Sequence, residues 1–239
     1  ALRRDIVLTA DGAVDLDVSA VRVAGAVTLD GAALPPEALD RGAISFTAAT
    51  GGSVSTGALG SSGPAAYRIT LLPGTYAVGF DANELLCATG TTAVPCIGAP
   101  LTSIVLGVDG ALDVDLHAIR VSGRVTAMGT TVRDESADRG RLRFVLDGGG
   151  SVTTRAFGTT GEVAYELTLI PGTYDVLLEA SAALCAGPGA SPSFPCVSGP
   201  LIRAVRLATS GALDVDVPYV HVAGRVTIAG AAMPAERAD

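Results

Sequence analysis

The sequence predicts an all-β fold made of tandem sandwich domains of immunoglobulin size, and two observations support this prediction. The segment Leu71–Tyr76 (LLPGTY) returns as Leu169–Tyr174 (LIPGTY), 98 residues later. Apolar and polar residues alternate on both sides of each copy, as they do in half-buried strands. A period of this length gives each repeat enough chain to bury its own core.

The repeat divides the chain into two whole units with partial units beside them. The segment 104–116 resembles both 6–18 and 205–217, so it occurs three times, whereas the Pro-Gly-Thr-Tyr motif occurs twice. No Gly/Ser/Pro linker interrupts residues 112–121, which predicts a semi-rigid rod with nearest-neighbour contacts. We therefore expect a piece of a longer array with the closing strands of a preceding repeat at 1–19, sandwich repeats at 20–119 and 120–219, and the opening strand of a following repeat at 220–239.

Strand patterns predict the core of each repeat. The Pro73-Gly74 pair is typical of a β-hairpin turn, with glycine at positive φ, and 104–116 also indicates a hairpin. Gly25 and Gly123 interrupt the opening strands and suggest a bulge or a close backbone approach. The inward-facing residues are predicted to be Tyr67, Ile69, Leu71, Tyr76, Val78 and Phe80 in the first repeat, and Tyr165, Leu167, Leu169, Tyr174, Val176 and Leu178 in the second.

Charge and composition exclude several classes of partner. The chain has 24 acidic and 16 basic residues and a net charge of −8, and all of its basic residues are arginine. A surface of this sign gives no electrostatic attraction for nucleic acid or anionic lipid. No apolar run is long enough to span a membrane, so we expect no membrane insertion. The Ala/Gly/Arg/Asp-rich usage is typical of a GC-rich bacterial genome.

The four cysteines form one pair in each repeat. Cys87 and Cys96 are 9 residues apart, and Cys185 and Cys196 are 11 apart. Local disulfides are the favoured interpretation, and they imply an extracellular or other oxidising location. The alternatives are reduced structural thiols and zinc, although zinc would require tighter ligand pairs and convergent histidines.

Three motifs together resemble a known domain family. Gly-x-Val-Thr on the opening strand, the Pro-Gly-Thr-Tyr motif and the closing Leu-Asp-Val-Asp strand are similar to the carboxypeptidase regulatory-like domain of secreted bacterial proteins. The resemblance implies a transthyretin-like (prealbumin-like), seven-stranded β-sandwich that serves as a spacer or interaction module. The chain departs from this family in its long cysteine-containing loops. The internal Lys–Asn or Lys–Asp isopeptide bond of related surface sandwiches is not possible here, because the chain has no lysine.

Repeated aspartates form the one acidic constellation. Each closing segment alternates aspartate with apolar residues, which suggests either the polar face of a strand or an oxygen cage for calcium. Ser210 replaces the turn aspartate in the third copy, and the spacing matches no known calcium loop. The calcium candidates are Asp11, Asp15, Asp17, Asp109, Asp113 and Asp115.

Exposed aromatic rings are the feature that a glycan-binding site would need. The chain has no tryptophan, and every tyrosine except Tyr219 is assigned to the core. Phe157, Phe194 and Tyr219 remain as candidate binding rings, and Phe194 lies in the longer of the two cysteine loops.

Neither histidine suggests catalysis. His117 and His221 lie at the repeat junctions, neither has an equivalent in the other repeat, and no nucleophile or acid accompanies them in a triad pattern. We expect no enzyme and no cofactor. The sequence predicts a structural or adhesive repeat segment of a secreted or surface protein, acting as a semi-rigid spacer or fibre-forming scaffold with itself as partner. The alternative is a ligand-binding module, for a glycan or a protein, that uses the cysteine loops.

Overall fold

The computed structural model describes residues 13, 17–89, 92–186, 192–222, 224 and 227–232. These residues contain short β-strands, one short helix and one 3₁₀ turn at Ala182–Cys185. The elements are β1 Val21–Leu29, β2 Ala32–Ala33, β3 Ala43–Ala48, β4 Ser53–Ser55, β5 Ala66–Leu71, β6 Gly74–Asp81, α1 Leu85–Thr89, β7 Ala99–Leu106, β8 Gly110–Ala111, β9 Val114–Leu116, β10 Ile119–Ala127, β11 Thr130–Thr131, β12 Arg141–Leu146, β13 Ser151–Thr153, β14 Val163–Leu169, β15 Gly172–Glu179, β16 Gly199–Leu207, β17 Gly211–Ala212, β18 Val215–Val217, β19 Thr227–Ile228 and β20 Ala231–Ala232.

Strands β1 to β9 form one unit, which we call unit 1, and β10 to β18 form unit 2. In unit 1 one sheet has the order β2-β1-β5, with β8 and β9 pairing in parallel with β1, and the second sheet has the order β4-β3-β6-β7. Unit 2 repeats this arrangement strand for strand, as β11-β10-β14 with β17 and β18, and β13-β12-β15-β16. The predicted all-β sandwich class is confirmed, while the exact repeat boundaries stay a prediction.

Each unit buries its alternating apolar residues between its two sheets. Phe46 on β3 contacts the ring of Tyr67 on β5, with ring centroids 6.2 Å apart, and these strands belong to different sheets. Phe144 and Tyr165 make the same contact in unit 2 at 5.6 Å. All the predicted inward residues are buried except Ile69, which is half-buried and packs against the core. Each fully buried side chain of this kind stabilises its sandwich by about 1.5 to 3 kcal/mol.

The Pro-Gly motif is a corner between the sheets, so the predicted hairpin is wrong. Strand β5 pairs with β1, whereas β6 pairs with β3 and β7. Gly74 is also absent from the glycines at positive φ. Alternation fixes which face of a strand is apolar but not which strand lies beside it. Two strands whose apolar faces point inward can therefore lie in different sheets and face each other across the core. The Tyr76 hydroxyl donates a hydrogen bond to the Leu72 carbonyl oxygen at 2.8 Å and stabilises this corner.

The closing segment also crosses between sheets. Strand β7 pairs with β6, and β8 and β9 then run parallel to β1, so the second predicted hairpin is wrong for the same reason. Between β8 and β9 the Leu112 carbonyl oxygen turns towards Gly25, where an added Cβ would overlap it. Gly123 meets Leu213 in the same way. The predicted close backbone approach at these glycines is confirmed.

Two arginines are fully buried in the connections before β3 and β12. The Arg41 guanidinium donates hydrogen bonds to the carbonyl oxygens of Leu34, Leu59 and Gly60, among others, at 2.7 to 3.0 Å. Arg139 is held by the equivalent carbonyls of unit 2. Among the described residues no ion pair involves either arginine, so backbone dipoles alone solvate the two buried charges.

Candidate functional site: the cysteine loops

The cysteine loops connect strands in the same place in both units. Cysteine loop 1 (82–98) joins β6 to β7, and cysteine loop 2 (180–198) joins β15 to β16. Disulfides link Cys87 to Cys96 and Cys185 to Cys196, with Cα atoms 5.9 and 6.0 Å apart. Each loop is thus closed near both of its ends.

A glutamate holds each loop onto its own unit. The Glu37 carboxylate accepts hydrogen bonds from the backbone N–H groups of Ala93 and Val94, at 2.7 and 3.1 Å. Glu135 accepts from the N–H and the hydroxyl of Ser193. Neither glutamate was predicted from the sequence as a loop contact, although their 98-residue spacing matches the repeat.

Cysteine loop 1 packs against unit 2. The Cys96 N–H donates a hydrogen bond to the Thr168 carbonyl oxygen at 3.2 Å, and the Thr168 hydroxyl donates to the Thr92 carbonyl oxygen. Gly150 of unit 2 donates its N–H to the Gly98 carbonyl oxygen at 3.0 Å. Ile97, between these contacts, is fully buried. The loop therefore holds the two units together.

Two of the three candidate binding rings are buried, so the prediction that they are exposed is wrong. Phe194 lies inside cysteine loop 2 and packs edge-on against Phe157, with centroids 6.3 Å apart. The disulfide and Glu135 hold the loop over the core, and the two rings fill the space beneath it. Tyr219 is half-buried against the core and contacts the His221 ring at 5.1 Å. These three rings therefore form no exposed platform for a glycan.

The aspartates of the closing segment bind backbone groups of the neighbouring strand. Asp109 accepts from the Arg22 N–H and Asp113 from the Ala26 N–H, both at 2.8 Å. Asp115 accepts from the Thr28 hydroxyl at 2.7 Å and from the Gly31 N–H, and these hydrogen bonds lower its pKa. All three aspartates are exposed, as expected for the polar face of a strand, and their carboxylates also hydrogen-bond to the neighbouring strand.

The calcium candidates are not brought together in the described chain. Asp11 and Asp15 lie outside the described residues, and Asp17 is exposed. Among the residues that the structure describes, no three His, Cys, Asp or Glu side chains form a group that could hold a metal ion. His117 is largely exposed and lies 3.0 Å from the Asp30 carboxylate. No helix of the described chain is long and apolar enough to cross a membrane.

Comparison with known proteins gives distant structural likenesses only. No family model and no curated protein matches the chain. Among solved structures, it is similar to the minor pilin GBS52 of Streptococcus agalactiae, with 9% identity, coverage of 86% of this chain and 100% of that one, and a TM-score of 0.36. It is also similar to a streptococcal ancillary pilin (13% identity, 82% and 62% coverage, TM-score 0.29).

The Bacillus anthracis TIE protein is a third likeness, at 9% identity and a TM-score of 0.27. The alignment covers 83% of this chain but only 34% of that protein, so the chain spans about a third of its length. Identities and TM-scores this low establish no family and no function for the chain.

Proposed function

We propose that the chain is a non-enzymatic structural or adhesive repeat segment of an extracellular or cell-surface bacterial protein, where it acts as a semi-rigid spacer or fibre-forming scaffold. The observation that carries the proposal is the junction between the units. Only His117 and Ala118 separate β9 from β10, and cysteine loop 1 is hydrogen-bonded to unit 2 beside them. Two attachments at one junction restrict the bending between neighbours.

The covalent features support the same proposal. Disulfides persist in oxidising compartments, so the two bonds support a location outside the cytoplasm. They brace the loops that lack a regular strand pattern, including the one at the junction. A spacer that works outside the cell benefits from such bonds, because a disulfide lowers the entropy of the unfolded chain and so stabilises the fold.

Nuclear spin relaxation of the two-unit chain tests the proposed stiffness. If the junction is semi-rigid, the amides of both units report the same overall tumbling time, and it is that of the whole chain. Replacing Ile97 by Asp buries an unpaired charge in the junction, which should separate the two tumbling times. Val197→Asp is the matched control, because this equivalent valine is exposed.

Independent tumbling of the wild-type units would overturn the proposal. Chemical shifts of core amides, such as those of Val78 and Val176, would verify that the Ile97→Asp variant keeps both sandwiches folded. An Ile97→Asp chain that is folded and tumbles as one body would show that the loop contact does not set the stiffness.

A further inference from the structure

Equivalent surfaces of the two units are buried to different extents, and each difference lies where the described residues include no neighbouring sandwich. Ile97 of cysteine loop 1 is 0% exposed, whereas Val197, at the same place in cysteine loop 2, is 78% exposed. Loop 1 rests on unit 2, and the described residues place no sandwich against loop 2. Val197 is therefore an uncovered apolar side chain on a loop that is built for docking.

The surface that receives a loop shows the complementary difference. In unit 2, Thr168 and Val152 are 3% and 2% exposed beneath cysteine loop 1. The equivalent Thr70 of unit 1 is exposed, and the equivalent Val54 is 44% exposed. Leu72, at the adjoining corner, is 42% exposed.

These uncovered residues of unit 1 line one groove. The groove has a volume of about 1050 Å³ and is lined by Val54, Thr70, Leu72, Tyr76 and the start of β6, with Asp17 and Ser19 at its side. We call it the unit 1 groove. It occupies the place that cysteine loop 1 fills on unit 2.

We propose that the chain binds a second copy of itself head to tail, with cysteine loop 2 of one copy seated in the unit 1 groove of the next. The contact would copy the junction already formed inside the chain. Val197 would lie against Val54 and Leu72, and the Cys196 N–H would donate to the Thr70 carbonyl oxygen, as Cys96 donates to Thr168. Such an interface joins two different surfaces and leaves one loop and one groove free on every dimer, so further copies can add to it.

One part of the internal junction is not copied. The turn before β13 has Gly148 at φ +69°, and unit 1 has Thr50 at this position. A β-branched residue adopts positive φ only with strain. The hydrogen bond between Gly150 and Gly98 is therefore outside the proposed contact, which relies on the apolar side chains and on Thr70.

Covalent linkage favours the internal junction over the same contact between separate chains. Units joined by two residues meet at a high effective concentration, on the order of millimolar, whereas separate chains pay the full cost of association. The self-association should therefore be weak and depend on concentration. It goes beyond the proposed function, since a chain that stays monomeric can still serve as a spacer.

Sedimentation velocity over a range of concentrations tests the proposal with two complementary variants. Val197→Asp damages the loop and leaves the groove intact, while Val54→Asp damages the groove and leaves the loop intact. Each variant alone should associate at least about tenfold more weakly than wild type, because an aspartate would be buried without a partner. Val108→Asp, at an exposed valine that belongs neither to cysteine loop 2 nor to the lining of the unit 1 groove, should behave as wild type.

Mixing the two variants gives the most specific result. One intact loop and one intact groove remain, so an equimolar mixture should form dimers with one chain of each kind and nothing larger, whereas the wild type forms larger species. A wild type that stays monomeric at millimolar concentration would overturn the proposal. So would a mixture that does not dimerise, or variants that associate as the wild type does through some other surface.

Discussion

The Leu112 carbonyl oxygen lies against the Cα of Gly25 and also accepts a hydrogen bond from the Tyr67 hydroxyl at 2.6 Å. The tyrosine hydroxyl thus fixes the position of the carbonyl, and the carbonyl leaves no room for a side chain on residue 25. Unit 2 repeats this arrangement with Leu213, Gly123 and Tyr165. The glycine of each opening strand is required because the closing segment passes too close for a Cβ.

Gly25→Ala should destabilise unit 1 by about 3 kcal/mol, because the new methyl group overlaps a backbone carbonyl that cannot move without straining its hydrogen bond from Tyr67. Urea denaturation followed by far-ultraviolet circular dichroism would measure the loss. Gly107→Ala is the control: its added Cβ meets open space, and its stability should stay within about 0.5 kcal/mol of wild type. Equal stabilities for the two variants would contradict the close approach.

Arg41→Met should destabilise unit 1 by at least about 3 kcal/mol, because several buried carbonyl oxygens lose their donors at once. Lysine should rescue only part of this loss, since an ammonium group cannot reproduce the planar set of guanidinium hydrogen bonds. The exposed Arg68→Met serves as control and should change stability little. Thermal unfolding of all three variants would check the order, and an Arg41→Met chain as stable as wild type would show that the carbonyls find other donors.

Removing the two disulfides should have unequal effects. Replacing Cys185 and Cys196 by alanine should cost roughly 2.5 to 3 kcal/mol, the chain-entropy value for loops of this length. Replacing Cys87 and Cys96 should cost more and should also lower the melting temperature of unit 2, because loop 1 covers Thr168 and Val152. Differential scanning calorimetry would resolve the effects, and identical losses for the two pairs would argue against loop 1 as a brace between units.

Alkaline pH should weaken the fold through its buried tyrosines. Burial, and to a smaller extent the charge of Asp113, raises the pKa of Tyr67 to about 12, and burial also raises the pKa values of Tyr165 and Tyr174. Between pH 10 and 12 the unfolded chain releases protons that the folded chain keeps, so the stability that these groups contribute below about pH 10 is lost as the pH rises.

Urea denaturation at about pH 9 and about pH 11 measures this loss, and the ultraviolet absorbance of tyrosinate follows the ionisation itself. Tyr67→Phe should reduce the pH dependence, because phenylalanine has no proton to lose. Tyrosinate absorbance that rises as a single step near the ordinary tyrosine pKa would contradict the raised values.

The faces of the strands could be predicted from the sequence, but their neighbours could not. Alternation placed Tyr67 and Tyr76 in the core, and both are buried. It also suggested a hairpin between them, although the strands lie in different sheets. A period of two reports only which side of a strand is apolar. The pairing depends on where the whole chain crosses the sandwich, and a local pattern does not contain that information.

The loops were harder to predict than the strands. Arg41 and Glu37 bind backbone groups from other parts of the chain. Any residue type can supply a backbone carbonyl, so the sequence does not show which residues are the partners. The repeat itself contained a signal, because Asp40-Arg41-Gly42 returns as Asp138-Arg139-Gly140. Phe194 was predicted to be an exposed ring because it lies in a surface loop, yet it fills the space above Phe157. Size complementarity across a loop appears only in three dimensions.

The parallel pairing of β1 with β9 determines how a unit would respond to being pulled. These are the first and the last strands of unit 1, and Val27 to Leu29 lie beside Val114 to Leu116. Tension on the two ends of the unit would drag these neighbours in opposite directions along their length. The hydrogen bonds between them would be loaded in shear, all together, instead of peeling apart one by one. A chain of such units would therefore unfold only at high force, one unit at a time.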